Sequence, residues 1–259
     1  MKAAQPIFGT LNSYLKRLSD CHDKGITFIE GAEKESFISY RDLIHLAKCT
    51  LSNLQSKGLK TRDELVFQVE DNKEFIVLFW ASLLGGIIPV PLAVGNQQEH
   101  YHKLQQVWST LSNPFLIASA KQAERLSKQS FGFLSSTEIT EATSLIQLEA
   151  ELPPVEYESA STSLAYVQFS SGSTGVPKGV CLTHENLVYN AFDIATRSKT
   201  NLHDRSLSWM PLPHDMGLLC FHLSNVLAGT NQYIMPTALF IRRPVLWIQK
   251  AHEHAISQL

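Results

Sequence analysis

Apolar positions along the chain alternate between helical and strand periods, and the alternation is regular enough to predict elements. From Thr10 to Ser19, Leu11, Tyr14, Leu15 and Leu18 share one helical face, predicting an opening amphipathic helix. Ile26–Glu30 and Ser36–Tyr40 are short β-prone runs around a polar turn at Gly31. Arg41 to Lys57 returns to the helical period through Leu43, Leu46, Ala47, Leu51 and Leu54, with Gly58 placed to end it. A strand at Val66–Val69, a helix closed by Gly85-Gly86 and a strand at Ile87–Pro91 follow. After them come a helix over Gln97–Leu111, a strand at Phe115–Ala118, a helix over Ala120–Lys128 and a strand at Phe131–Leu134. Strands and helices in strict alternation predict an α/β fold of largely parallel sheets flanked by helices.

Between Ser135 and Ser163 the pattern fades into polar residues around Pro153-Pro154, which predicts a connector over 135–162 between a first α/β subdomain, 1–134, and a second unit from 163 onward. Beyond it, Leu164–Phe169 is a short apolar strand and Val180–Leu182 another. Thr183 is placed to cap a helix from His184 to Arg197, with Leu187, Ala191, Ile194 and Ala195 inward. A strand over Arg205–Met210, a helix over Leu218–Leu227, a strand over Asn231–Met235 and a final helix from Val245 complete the pattern.

One segment challenges a soluble reading: Phe75 to Val94 is uncharged and about as long as a membrane span requires. Gly85-Gly86 at its centre and Pro89 and Pro91 soon after suit a buried helix followed by a strand instead, so no membrane span is expected. The 259 residues, 44% apolar, allow a sizeable core, and a net charge of -2 without any Lys/Arg block argues against nucleic acid as the main partner. Four cysteines without a CxxC pair, and a start lacking an apolar signal core, point to the reducing cytoplasm. For the pairs His100/His102 and His252/His254 no acidic or cysteine partners are expected to gather, so a solvated face is expected and no metal site.

The densest chemistry lies in Ser170-Ser171-Gly172-Ser173-Thr174-Gly175-Val176-Pro177-Lys178-Gly179. Glycines let backbone N–H groups turn toward a polyanion, hydroxyls add donors, and Lys178 offers a mobile positive charge. A Walker A loop needs glycine before its lysine and Ser or Thr after it, and here the neighbours are Pro177 and Gly179, so a P-loop nucleoside triphosphatase is disfavoured. A flexible linker would need neither a strand on each side nor the Pro-Lys-Gly end. A second special turn, Pro211-Leu212-Pro213-His214-Asp215-Met216-Gly217, follows a later strand, and the two turns are expected at strand ends within one sheet, where α/β folds bind ligands.

The block from Val167 to Val180, with Leu182-Thr183-His184-Glu185-Asn186-Leu187 behind it, resembles the AMP-binding signature of the adenylate-forming superfamily. Trp209 to Leu218, with Arg242-Arg243-Pro244 and Trp247, resembles the fatty acyl-AMP ligase branch, whose members are similar to loading domains of polyketide and nonribosomal peptide assembly lines. The resemblance implies the N-terminal portion of an adenylate-forming fold, ATP with Mg2+ as cofactors, a carboxylic acid substrate, and a carrier-protein thiol as acceptor of the acyl group. It assigns Ser170, Ser171, Ser173, Thr174 and Lys178 to the β- and γ-phosphates, with Gly172 and Gly175 permitting the bend. It places His214 at the junction of acyl pocket and nucleotide, where the competing reading is a structural histidine holding the turn. Met216 and Gly217 would shape the pocket wall. Asp215 is open to two roles, binding a polar substituent of the substrate or capping the next helix. His184 and Asn186 read as helix-start residues.

Members of the superfamily carry further motifs for adenine, ribose and magnesium, and a small C-terminal domain with a lysine, none of which has a counterpart here. The chain is therefore expected to be roughly the first half of an adenylation domain and to show little ATP–pyrophosphate exchange alone. Coenzyme A ligase, amino-acid adenylation and a non-catalytic scaffold stay open as alternatives.

Overall fold

A computed structural model describes residues 9–129, 132, 139–170 and 177–259. A short helix α1 (Leu11–Lys16) precedes an antiparallel pair, β1 (Gly25–Ile29) and β2 (Glu35–Ser39), and a long helix α2 (Tyr40–Ser56). Then come β3 (Glu64–Gln68), α3 (Asn72–Gly85), β4 (Ile88–Pro91), α4 (Gln98–Trp108), β5 (Pro114–Ala118), α5 (Ala120–Ser127), β6 (Ile139–Glu141) and α6 (Ala142–Leu145). β3 to β6 form an all-parallel sheet in the order β4-β3-β5-β6. Its two faces are read directly from alternate residues. Leu65, Phe67 and Ile117 pack with α2 and α3, whereas Val66, Leu116 and Ala118 pack with Leu104 and Val107 of α4 and Leu126 of α5.

Helix α3 explains the uncharged run. Every residue from Phe75 to Gly85 is buried, because the helix lies between the sheet, α2 and the later helices. At 14 residues it is about 21 Å long, short of the roughly 30 Å of a bilayer interior. Gly86 closes it in the left-handed conformation at φ 65°. Among the described residues no helix is long and apolar enough to cross a membrane.

Part of the expected connector is sheet and helix. β6 adds a fourth parallel strand beside β5, and α6 follows it directly. Three residues of strand, only half-buried, carry too little apolar pattern to be recognised in sequence. Beyond α6 the chain lies along α2, which holds it through Ser52 to the Leu152 carbonyl and Gln55 to the backbone of Val155. The predicted strand Phe131–Leu134 lies outside the described residues apart from Gly132.

The second half contains β7 (Leu164–Ser170), β8 (Lys178–Thr183), α7 (His184–Arg197), β9 (Arg205–Ser208), a π-helix (Met216–Leu223), α8 (Ser224–Ala228), β10 (Asn231–Ile234), α9 (Thr237–Arg242) and α10 (Pro244–Glu253). β9 and β10 join the first hairpin in a four-stranded sheet, β2-β1-β10-β9, in which β1, β10 and β9 run parallel. β7 and β8 stand apart as a two-stranded antiparallel sheet. The expectation that both special turns leave strands of one sheet is thereby corrected: one leaves β7 of the hairpin, the other leaves β9. Seven residues between Ser170 and Lys178 are too few for the crossover that parallel strands demand, so a hairpin is the only connection available.

Candidate functional site

The hairpin sets the geometry of the first motif. Its register pairs Ser170 with Lys178 and Phe169 with Gly179, so hydroxyl and ammonium side chains stand opposite each other at the neck of the loop. Both are exposed, while Pro177 between loop and strand is buried. Gly179 packs closely, since a Cβ there would lie 3.0 Å from the Phe169 ring across the hairpin. Ser171, Gly172, Ser173, Thr174 and Gly175 lie outside the described residues.

β8 runs straight into α7 through a capping box. The Thr183 hydroxyl accepts from the Asn186 N–H, and the Asn186 side chain accepts from the Thr183 N–H. His184 is buried, and its Nδ1 accepts from the Leu11 N–H at 3.3 Å, tying α1 to α7. Burial pulls its pKa down to about 4. Both residues are helix-start residues, as their sequence position implies.

The second motif leaves β9. Trp209 stacks face to face on Phe240 at 4.0 Å, and its carbonyl accepts from the Thr237 hydroxyl, so α9 clamps the start of the turn. The His214 N–H donates to the Pro211 carbonyl at 3.0 Å, and Leu218 donates back to the His214 carbonyl. Asp215 caps the π-helix, its Oδ1 accepting from the Met216 N–H at 2.8 Å. His214 Nδ1 lies 2.6 Å from the same carboxylate oxygen and accepts from the Met216 N–H at 3.3 Å. Both side chains are about three-fifths exposed, and His214 holds the turn through its backbone and Nδ1 bonds. Met216 is half-exposed and Gly217 buried. Where a side chain on Gly217 would project, the Pro211 carbonyl oxygen already stands, 2.2 Å from an ideal Cβ.

The helix after the turn is a π-helix for eight residues and then an α-helix, where the sequence pattern predicts one ordinary helix. A π turn holds an extra residue, and such turns concentrate at functional sites. It carries His222 into the core. The Trp80 indole N–H donates to His222 Nε2 at 2.9 Å, and His222 Nδ1 meets Gln232 Oε1 at 2.9 Å. Gln232 donates to the Tyr40 hydroxyl at 2.7 Å, and Tyr40 donates to the Thr230 carbonyl at 2.7 Å. The accepting Nε2 fixes a neutral ring with its proton on Nδ1, and burial lowers its pKa to about 4. Gly217, His222 and Gln232, with Ser206, Ser208 and Leu212, border a cavity of about 10 Å³ beside the turn, room for one water.

Tyr166 lies on the strand that leads to the first motif. This residue sits on β7 four positions before Ser170, fully buried, with its ring edge-on to Phe79 at 6.0 Å. Burial first and the Asp215 carboxylate second push the pKa of its hydroxyl up. The surroundings of Tyr166, His222, Gln232 and Tyr40 were not legible in the sequence, because several of their neighbours lie far away in the chain and apolar periodicity marks them only as core.

The histidine pairs need correction. His254 does gather acidic partners: its Nε2 lies 3.0 Å from Glu35, and Glu35, Glu253 and His254 form the one such cluster among the described residues. The buried Lys250 ammonium sits among them, 2.7 Å from Glu35 and 2.8 Å from Glu253. That cation supplies the charge a metal would, so the cluster reads as an ion-pair network joining β2 to α10. His100 is half-buried, its Nδ1 enclosed and unpartnered, whereas His102 is exposed. All four cysteines are free thiols.

Comparison with known proteins agrees with this geometry. Residues 21–259 match the family described as AMP-binding enzyme. The chain is 31% identical over 193 residues to the long-chain-fatty-acid–AMP ligase FadD32 of Mycobacterium marinum, covering 73% of this chain and 30% of that protein. It is 25% identical to the medium-chain-fatty-acid–[acyl-carrier-protein] ligase JamA of Moorena producens, covering 98% of this chain and 44% of that protein. Among solved structures it superposes on McyG A-PCP complexed with phenylalanyl-adenylate with a TM-score of 0.90 at 29% identity, covering 98% of this chain and 46% of that one. It superposes on the fatty acid AMP ligase of Legionella pneumophila with a TM-score of 0.86 at 25% identity, covering 96% and 43%. The chain thus spans between about a third and a half of the length of these relatives. With its parallel sheets, its hairpin-borne loop and a family match over nearly its whole length, the chain belongs to the AMP-binding enzyme family.

Proposed function

We propose that this chain supplies the acid- and phosphate-binding half of an enzyme that activates a carboxylic acid with ATP. One carboxylate oxygen attacks the α-phosphorus, the new O–P bond forms as the bond to the β-phosphate oxygen breaks, and pyrophosphate leaves with that electron pair. A carboxylate is a weak electrophile, and the acyl-adenylate made in this step is the species that a thiol can attack. The observation that carries the reading is the pairing of Ser170 with Lys178 at the neck of the loop, opposite strands holding a hydroxyl donor and a cation side by side. A triphosphate needs this combination, because negative charge on the departing pyrophosphate must be neutralised and held in line.

Ser170, Ser171, Ser173, Thr174 and Lys178 would hold the β- and γ-phosphates, with Gly172 and Gly175 shaping the bend. Mg2+, when bound with the triphosphate held by Ser170 and Lys178, would supply further positive charge to offset the departing pyrophosphate. His214, Asp215, Met216 and Gly217 would face the reacting carboxyl group. With Nδ1 held in the turn beside Asp215 and Met216, His214 would offer Nε2 to the reacting carboxyl group. The acyl group would then pass to a carrier-protein thiol, a reading supported by the acyl-carrier-protein ligase and the A-PCP structure among the similar proteins.

The test is a panel of fatty, hydroxy, keto and amino acids supplied with ATP to the protein at the length of its relatives, with acyl-adenylate and loaded carrier protein read by mass spectrometry. A fatty or modified acyl acid should give both products. Acyl-coenzyme A in place of loaded carrier would move the function to a coenzyme A ligase, and selective loading of an amino acid would move it to amino-acid adenylation.

A further inference from the structure

A π-helix is rare and usually lasts a single turn. Here it runs for eight residues, Met216–Leu223, directly after the turn that carries His214 and Asp215. The α-helical register resumes at once in α8, so contacts from outside the segment must hold the wider one. His222 makes them. Its ring is buried and bonded on both edges, accepting at Nε2 from the Trp80 indole of α3 and donating from Nδ1 to Gln232 Oε1 of β10, each at 2.9 Å. The Trp80 ring also meets it edge-on at 5.9 Å, and Gln232 is fixed in turn by the Tyr40 hydroxyl of α2. At the junction with α8 the Ser224 hydroxyl donates to the Cys220 carbonyl and the Asn225 amide to the Phe221 carbonyl, so the last π-helical carbonyls have side-chain partners as well. The ring borders the same small cavity as Gly217 and Leu212, immediately behind the turn.

We infer that His222 is a positioning residue for acid activation, its two ring bonds holding the π-helical register that sets His214, Asp215 and Gly217 in the preceding turn. This rests on the function proposed above. Slipping to the α-helical register would shift the start of the helix by one residue, about 100° round the axis and 1.5 Å along it. Met216 or Leu218 would then be brought toward the Pro211 carbonyl, which leaves no room for a Cβ. His214 and Asp215 are tied to this first turn by the Leu218 and Met216 N–H groups and would move with it. A displacement of about 1 Å is enough to cost an active site about a hundredfold in rate. An apolar side chain of similar size would fill the space yet supply neither the donor nor the acceptor.

His222→Phe keeps a ring in place and removes both bonds. In the protein at the length of its relatives, kcat/KM for the best acid of the panel should fall about a hundredfold in H222F. KM for ATP should stay close to the wild-type value, since the phosphate loop hangs from the separate β7–β8 hairpin. His222→Asn, whose amide can donate where Nδ1 does, should recover about tenfold of the loss, and Trp80→Phe, which removes only the indole donor, should cost about five- to tenfold. General loosening of the core would lower the folded fraction, read by circular dichroism at the assay temperature, without splitting acid from ATP and without rescue by asparagine. Wild-type kcat/KM for the acid in folded H222F, or in W80F should H222F not fold, overturns the inference and leaves the proposed function standing. A loss shared equally with ATP binding, or no rescue in H222N, does the same. A wild-type protein that forms no acyl-adenylate with any acid of the panel overturns both.

Discussion

At the scale of single residues, Lys178 and His222 show opposite uses of exposure. Lys178 is solvent-exposed at the start of β8, where the strand pairing sets it opposite Ser170. Lys178→Ala should therefore lower the rate of adenylate formation strongly, by about a hundredfold if the ammonium acts on the leaving pyrophosphate. It should leave the thermal midpoint within experimental error, because exposed substitutions away from special features cost little. Unchanged kinetics would reduce Lys178 to a solvated side chain. His222 is the opposite case, neutral and enclosed between Trp80 and Gln232. Its folded pKa of about 4 lies below the value near 6.5 of an unfolded histidine, so the unfolded chain takes up the proton first as pH falls. Stability is intact above about pH 6.5 and is lost progressively down to about pH 4, by on the order of 3 kcal/mol for this ring. An NMR titration should find His222 uncharged until about pH 4; titration near 6.5 would refute its enclosure. Lys178 was legible in the sequence because its neighbours in the chain are also its neighbours in space. His222 was not, since the residues that define it stand 142 and 10 positions away.

At the scale of elements, the turn from Pro211 to Gly217 and the π-helix behind it form one unit. Gly217 lets the first helical turn lie against the Pro211 carbonyl, and an added methyl would meet that oxygen at 2.2 Å and the Met210 carbonyl at 2.9 Å. Both are backbone atoms, so Gly217→Ala must displace the turn that carries His214 and Asp215. Urea unfolding should show a loss of about 1–3 kcal/mol, the usual cost of overpacking, together with reduced adenylate formation. Met216→Ala, at a half-exposed position, should cost much less. Equal stability of G217A and wild type would mean that the turn yields freely. Sequence periodicity located most of the helices and strands within a few residues, α7 to the residue. It missed elements whose signals are intrinsically weak. β6 is three residues long, α9 is a single short helix before Pro244, and a π-helix differs from an α-helix by backbone pairing that leaves no mark on the apolar pattern.

At the scale of the whole molecule, three sheets place the motifs. The all-parallel sheet with α2 and α3 on one face and α4 and α5 on the other forms a body in which neither special turn resides. The β7–β8 hairpin and the β2-β1-β10-β9 sheet each deliver one motif. The ion-pair network of Glu35, Lys250, Glu253 and His254 joins the ends of that larger sheet's flanks, linking residues more than two hundred positions apart. The α/β class, the flanking helices and the family were legible, because a long motif and a strict alternation of periods survive in the chain itself. The division of the strands among three sheets was not, since pairing depends on contacts that periodicity does not encode, although the short loop between β7 and β8 already demanded a hairpin. The central claim is that this chain provides the acid- and phosphate-binding half of an adenylate-forming enzyme. Acid-dependent exchange of labelled pyrophosphate into ATP, measured on the protein at the length of its relatives, tests it most directly. The account predicts exchange with at least one fatty or modified acyl acid, abolished or strongly reduced by Lys178→Ala; no exchange with any carboxylic acid, or exchange indifferent to Lys178, would contradict it.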